Sequence, residues 1–444
     1  MSIIVVEGGN RLEGKIKVQG SKNSLLPLLA ATVSAAGTSV IHNCPRLTDI
    51  EAAIRILTYL GCCVVRQKDT VIVDSTNVDR CDIPDELMHE MRSSIIFLGP
   101  LIARFGRASL STPGGCEIGS RPIDLHTASL RLLGAQIDED GGHLECRCPC
   151  RLRGVKIDLS FPSVGATENI MIAAATAKGT TTITNAAREP EISDLACYLN
   201  ASGAHIRGAG EGTITIDGTD GLSGCEHTVI PDRIVADTYM TAAAVTGGNI
   251  VLENIVPAHL SPMLFVFRES GCRIRLGGNT LWLKAPRRLE RIRFIQTMPY
   301  PGFPTDAQAN AMAMACTAKG RSVIVETIFE SRFRHVDEFL KLGARITVEG
   351  RKAVVEGVPR LYGADVVTPD LRGGAALVAA GLAAEGVTKI RNVKLIDRGC
   401  ESFEENLRLL GASVKREEYN ESGNSTQPTL PAGAAGFRTE AVCR

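Results

Sequence analysis

Residues 112–125 read TPGGCEIGSRPIDL and set one thiol, Cys116, directly after a Pro-Gly-Gly turn, with a guanidinium, Arg121, five residues further on. Paired glycines open backbone conformations closed to other residues, so the thiol is expected on a loop rather than in a core. A fixed cation nearby favours the thiolate, the form that attacks. Loops that carry such a nucleophile beside a cation are where chemistry concentrates. The alternative is a buried, inert cysteine, and the glycines and flanking charges fit it poorly. Lys22 and Arg398, together with Arg121, have the charge to bind phosphate and carboxylate, the arginines in bidentate fashion. Asp306 is the candidate general base on a hydroxyl. For Asp306 and Asp370 the competing role is a helix N-cap.

These residues fall at fixed phases of an internal repeat. Six times a helix ends in glycine, followed by a small residue and a strand: YLGCCVV at Tyr59, LLGAQI at Leu132, LNASGAHI at Leu199, RESGCRI at Arg268, KLGARI at Lys341 and LLGASV at Leu409. The spacing is roughly 70 residues, and each glycine suits a left-handed helix C-terminus. Each copy opens with a helix rich in Ala, Leu and Met, as in SLLPLLAATVSAAG from Ser24, ENIMIAAATAKG from Glu168 and NAMAMACTAKG from Asn310. Small side chains on nearly every face predict a buried helix. A more amphipathic outer helix follows, as in DIEAAIRILTYLG from Asp49 and FRHVDEFLKLG from Phe333.

Six repeats predict an α/β protein of two halves, each of three repeats with helices inside and strands outside. The break falls near Pro231, and the strand before Gly20 resembles the one that should complete the last repeat. One domain is therefore expected over residues 22–230, with Lys22, Arg92, Cys116 and Arg121. The other is expected over 1–21 and 231–418, with Asp306, Asp370 and Arg398. Residues 419–444 are rich in Gly, Pro, Ser and Thr and predict a disordered tail. Lys22-Asn23, Arg92, Gly165, Asp232, Asp306 and Asp370 precede inner helices, whereas Arg46, Cys116 with Arg121, Arg188, Arg332 with Arg334, and Arg398 precede outer ones. Equivalent positions of stacked repeats project on one face, where helix N-termini offer free N–H groups to anions. Two such faces predict a basic cleft that takes phosphate.

Composition narrows the classes. Lys plus Arg and Asp plus Glu each number 49, so no basic excess points to nucleic acid or an anionic membrane. The opening MSIIVVEGGNRLEG reads as a strand and turn rather than a signal peptide, and no apolar run reaches the ~20 residues of a membrane span. The 14 cysteines are scattered singly, as in a reducing compartment, which predicts a cytoplasmic protein. Cys146, Cys148 and Cys150 alternate as on a strand and lack the spacing of a zinc knuckle. Neither a GxxxxGK[ST] loop nor a GxGxxG after a strand is present.

The motifs GSKNSLLPLLAA from Gly20, RSSIIFLGPLIARFG from Arg92, PGGCEIGSRPIDLH from Pro113, SVGATENIM from Ser163, GFPTDAQA from Gly302, ETIFESRF from Glu326 and DLRGGAALVAAGLAAEG from Asp370 resemble, in this order, those of the enolpyruvyl transferase family. The resemblance runs from Val5 to about Lys415 and is strongest to the branch acting on UDP-N-acetylglucosamine. It implies two inside-out α/β barrel domains of three repeats each. It also implies transfer of the enolpyruvyl group of phosphoenolpyruvate to the sugar 3-hydroxyl by addition and elimination, the first committed step of peptidoglycan synthesis. Neither a metal nor an organic cofactor is implied, nor an obligate protein partner. Carried over by motif, Cys116 is the general acid that can also bond to the donor, Lys22, Arg121 and Arg398 hold the donor, and Asp306 stands beside the sugar hydroxyl. Asn23, Arg92, Arg121, Pro122, Ile123, Asp124, Leu125, Ser163, Val164, Gly165 and Ile328 match positions around the nucleotide sugar, and Asp370 and Arg372 further cleft positions.

The chain departs from the family at Phe161-Pro162, where some members carry lysine, and at Cys400, where an aromatic is expected. The transferase acting on shikimate phosphate lacks a PGGC loop. A homologue using another uridine nucleotide stays open, and a binding-only regulator predicts loss of Cys116, Lys22 or Asp306, all of which are present.

Overall fold

The computed structural model describes residues 2–112 and 123–418. Cys116, Arg121 and Pro122, and the predicted tail at 419–444, lie outside the described residues.

Six inner helices, Lys22–Thr32, Leu98–Phe105, Val164–Ala174, Arg233–Val245, Gln308–Thr317 and Leu371–Ala383, are buried along most of their length. Alanine and glycine on several faces let them lie close, and the last three all touch one another. Outside them lie six four-stranded sheets of one design, in which a parallel edge pair is followed by two antiparallel pairs. The chain is thus an α/β fold of six similar units with helices inside and sheets outside. The glycines ending the outer helices, at 61, 134, 203, 271, 343 and 411, all have positive φ, between 85° and 107°.

Two hydrophobic clusters divide the described residues. One runs from Leu25 to Val229, and the other joins Ile4–Val18 to Val235–Val414. The chain passes between them twice, side by side, where Gly20 bridges Pro231 and Ser21 N donates to the Ile230 carbonyl at 2.8 Å. Glycine is required at 20 because a Cβ there would lie 1.8 Å from the Asn43 carbonyl oxygen.

Some local expectations change. The N-terminal segment forms two strands. Ser2–Glu7 completes the last sheet between Val387–Arg391 and Ser413–Glu418, while Glu13–Lys17 pairs in parallel with Asn249–Glu253. Arg92 opens a 3-10 turn, Arg92–Phe97, ahead of its inner helix. The fifth outer helix starts at Val336 rather than Phe333, because Phe333 and His335 turn inward and are buried.

Candidate active site

Every predicted site residue among the described ones lines a single cavity of about 890 Å³. Residues 22–230 supply Lys22, Asn23, Arg92, Ile123, Asp124, Leu125, Ser163, Val164 and Gly165; residues 231–418 supply Asp306, Ile328, Asp370, Arg372 and Arg398.

Helix starts build one wall. Ser21 caps Lys22–Thr32 by accepting from Ser24 N, and Lys22 N donates to Asp232 Oδ2 at 3.2 Å. Ser163 caps Val164–Ala174 through Ala166 N at 3.3 Å, which directs that N-terminus into the cavity. Gly165 lies against His126, whose Cε1 would be 3.1 Å from a Cβ at that position. Asn169 Nδ2 donates to the Ile95 carbonyl and approaches His126 Nδ1 at 2.8 Å, so the ring accepts there and its proton is assigned to Nε2. Burial lowers His126 to about 4, leaving the ring neutral at pH 7.

Two aspartates organise the charges. Asp49, 3% exposed, accepts from the Lys22 ammonium at 3.2 Å and from Arg398 Nε at 2.8 Å. Burial would raise its carboxyl, but Lys22 and Arg398 outweigh it and hold the group below its ordinary value. Burial likewise lowers Lys22, with Asp49 opposing and Arg372 and Arg398 adding to the fall. Asp306 Oδ1 lies 3.0 Å from Arg332 Nη2, and Oδ2 lies 2.9 Å from Arg372 Nη2. Burial raises this carboxyl too, and the two guanidiniums overcome it, keeping Asp306 well below the carboxylate range.

The two N-cap alternatives therefore resolve differently. Asp370 Oδ1 caps Leu371–Ala383, accepting from Arg372 N at 2.9 Å and Gly373 N at 3.1 Å. Asp306 makes no cap hydrogen bond and faces cations. With a guanidinium on each oxygen it is an oriented anion.

Glu326 holds the loop carrying Ile328 by accepting from Ile328 N at 2.8 Å and Phe329 N at 3.1 Å. Cys146 is buried within strand His143–Arg147, and the Cys148 thiol donates to the Cys150 carbonyl.

Sequence reasoning missed Asp49 as a site residue. Its only signal, an acid in the first turn of Thr48–Tyr59, is what any helix start shows. It also missed a second polar group in the wall, Glu168, Glu189, Glu191 and Arg233. Arg233 pairs with Glu191 at 3.0 Å, and Tyr300 N donates to Glu189 Oε1 at 3.2 Å. Burial first, then Glu191 and Glu189, raises Glu168 well above its ordinary value. These are cavity residues only by folding; nothing in their spacing marks them.

Comparison with known proteins fits this geometry. Residues 6–407 match the family model of EPSP synthase (3-phosphoshikimate 1-carboxyvinyltransferase). A UDP-N-acetylglucosamine 1-carboxyvinyltransferase 2 from Caldanaerobacter subterraneus subsp. tengcongensis is 49% identical over 93% of this chain and 98% of its own. A UDP-N-acetylglucosamine 1-carboxyvinyltransferase 1 from Symbiobacterium thermophilum is 50% identical over 93% of this chain and 94% of its own. Among solved structures, the enolpyruvyl transferase NikO from Streptomyces tendae superposes with a TM-score of 0.85 at 26% identity, covering 94% of this chain and 98% of that one. An EPSP synthase from Acinetobacter baumannii shares the fold, with a TM-score of 0.71 at 20% identity over 94% of this chain and all of its own. The six-unit fold, the cation-lined cavity and near-full-length identity of about one half converge: the chain belongs to the enolpyruvyl transferase family, among its UDP-N-acetylglucosamine 1-carboxyvinyltransferases.

Proposed function

We infer that the chain transfers the enolpyruvyl group of phosphoenolpyruvate to the 3-hydroxyl of UDP-N-acetylglucosamine, with release of phosphate, at the first committed step of peptidoglycan synthesis. The observation that carries this reading is the gathering of Lys22, Arg372 and Arg398 around Asp306 and Asp49 in one cavity, beside the capped start of Val164–Ala174. Cations there offset the negative charge of the donor and orient it without reorganising during reaction.

In the addition step the donor methylene gains a proton, and the carbon bearing phosphate becomes oxocarbenium-like. The acceptor oxygen bonds to that carbon and loses its own proton. In the elimination step the carbon–oxygen bond to phosphate breaks, a methyl proton leaves, and the double bond returns. Cys116 serves as the acid. Asp306 receives or orients the hydroxyl proton. Ser163, Val164 and Gly165 hold the nucleotide end, with Asn23, Arg92, Ile123, Asp124, Leu125 and Ile328 around the sugar.

Residues 22–230 act as one domain and 1–21 with 231–418 as the other, closing on the substrates about the paired crossings at Gly20 and Pro231. No helix among the described residues is long and apolar enough to cross a membrane, and none of the twelve described cysteines forms a disulfide. Together with phosphorylated small-molecule substrates this supports a cytoplasmic enzyme.

The test is phosphate release from phosphoenolpyruvate with and without UDP-N-acetylglucosamine, beside a Cys116→Ala variant. Release should require the sugar nucleotide and collapse in the variant. Release that is equal with UDP alone, or with another uridine nucleotide and not with this one, overturns the acceptor assignment.

A further inference from the structure

Among the described residues, Asp49 is the carboxylate that meets two of the three cations assigned to the donor, Lys22 and Arg398. It accepts from Lys22 Nζ at 3.2 Å and from Arg398 at 2.8 Å through Nε and 3.3 Å through Nη2. Lys22 and Asp49 belong to the first half and Arg398 to the second, so the carboxylate ties the halves across the cavity. The Arg398 segment is held from both halves: Gln19, of its own half, donates through Nε2 to the Gly399 carbonyl at 3.2 Å and accepts from Glu401 N through Oε1 at 2.8 Å, and Arg46 N of the first half donates to Glu401 Oε1 at 3.1 Å. These contacts fix where the guanidinium can reach.

We propose that Asp49 is a resident counter-anion of the donor subsite, which aligns Lys22 and Arg398 and sets how tightly that subsite takes an anion. The proposal rests on the donor reading of Lys22 and Arg398. An arriving carboxylate or phosphate meets cations that already share a carboxylate, and like charges a few ångströms apart in a half-buried site repel strongly. Asp49 thereby limits donor and product affinity while holding both cations in the geometry that turnover needs. Removing its charge makes the subsite stickier and less well ordered, the opposite of what loss of a binding residue does.

Asp49→Asn is compared with Asp49→Glu and the wild type by calorimetric titration of inorganic phosphate and by steady-state kinetics. Expected for Asp49→Asn is about ten-fold or greater tightening of phosphate, with a lower KM for phosphoenolpyruvate and a lower kcat. Asp49→Glu keeps the charge and should stay within about two-fold of wild type in phosphate affinity. Because the Asn variant leaves Lys22 and Arg398 short of an anion, its melting temperature should fall and be restored by millimolar phosphate. Phosphate affinity in Asp49→Asn that is unchanged or weaker, or a fallen melting temperature that phosphate does not restore, overturns the proposal. Absence of phosphoenolpyruvate turnover in the wild type would instead count against the donor reading, and the phosphate titration would still decide whether Asp49 tunes an anion site.

Discussion

The two halves repeat one scaffold and bury different groups within it. In the first, the polar contact between inner helices is neutral: Asn169 Oδ1 accepts from Gly99 N at 2.7 Å, and its amide meets the uncharged His126. In the second, the contact is ionisable: Asn310 Nδ2 donates to Asp237 Oδ2 at 2.7 Å. The cavity repeats this contrast. The first half offers capped helix starts and a neutral imidazole, whereas the second offers Asp306 clamped by Arg332 and Arg372, both its own. The same architecture can therefore present a neutral ring on one side of the cavity and a doubly clamped carboxylate on the other. Asp49, in the first half, draws its partners from both.

The sharpest break of this contrast is Asp306→Asn. If the clamped carboxylate handles the hydroxyl proton, kcat should fall by about 10²–10⁴ with KM for either substrate changed far less. Asp370→Ala, which removes the cap, should cost about 1 kcal/mol of stability, with a smaller loss of kcat. Equal kcat losses in both folded variants would erase the distinction between the aspartates.

A middle-sized effect is expected inside the second half. Burial raises Asp237 to about 7, against the opposing Asn310 hydrogen bond and the charges of Arg372 and Arg233. A carboxyl raised on folding contributes stability that is complete below its unfolded value, near ~4, and is lost as pH rises toward 7. Asp237→Asn should therefore gain on the wild type between about pH 4 and 7, by up to ~4 kcal/mol, and hold that margin above. Urea unfolding at several pH values reads this, and a pH-independent difference would refute it. The smallest effect belongs to the half-exposed Phe161 on the cavity rim. Phe161→Lys should lower KM for the sugar nucleotide about two- to five-fold, with kcat nearly unchanged, as expected of an exposed charge near a phosphate-bearing ligand.

Much of this was legible in the chain because its signals are local. A glycine after each outer helix reports a left-handed backbone, and alanine on every face reports a buried helix, whatever the rest does. The cations at one repeat phase were legible for the same reason. What escaped depends on distant pairing. Asp49 reads as an ordinary helix-start acid until Arg398 folds onto it from 349 residues away. Asp306 and Asp370 look alike because capping depends on the backbone angle at the helix start, which their neighbours do not announce. The separation of Ser2–Glu7 from Glu13–Lys17 into two sheets rests on partners beyond residue 240, and the early turn at Phe333 on what buries it.

The place of Ser2–Glu7 also bears on synthesis. The strand lies between Val387–Arg391 and Ser413–Glu418, with Ser2 opposite Glu418. Every sheet around the first core takes its strands from residues 35–228 and can close while translation continues. Ser2–Glu7 cannot: both of its neighbours follow, in the chain, the strands of every other sheet. Until they emerge, its apolar IIVV stretch has no sheet partner, and its capture completes the last of the six four-stranded sheets.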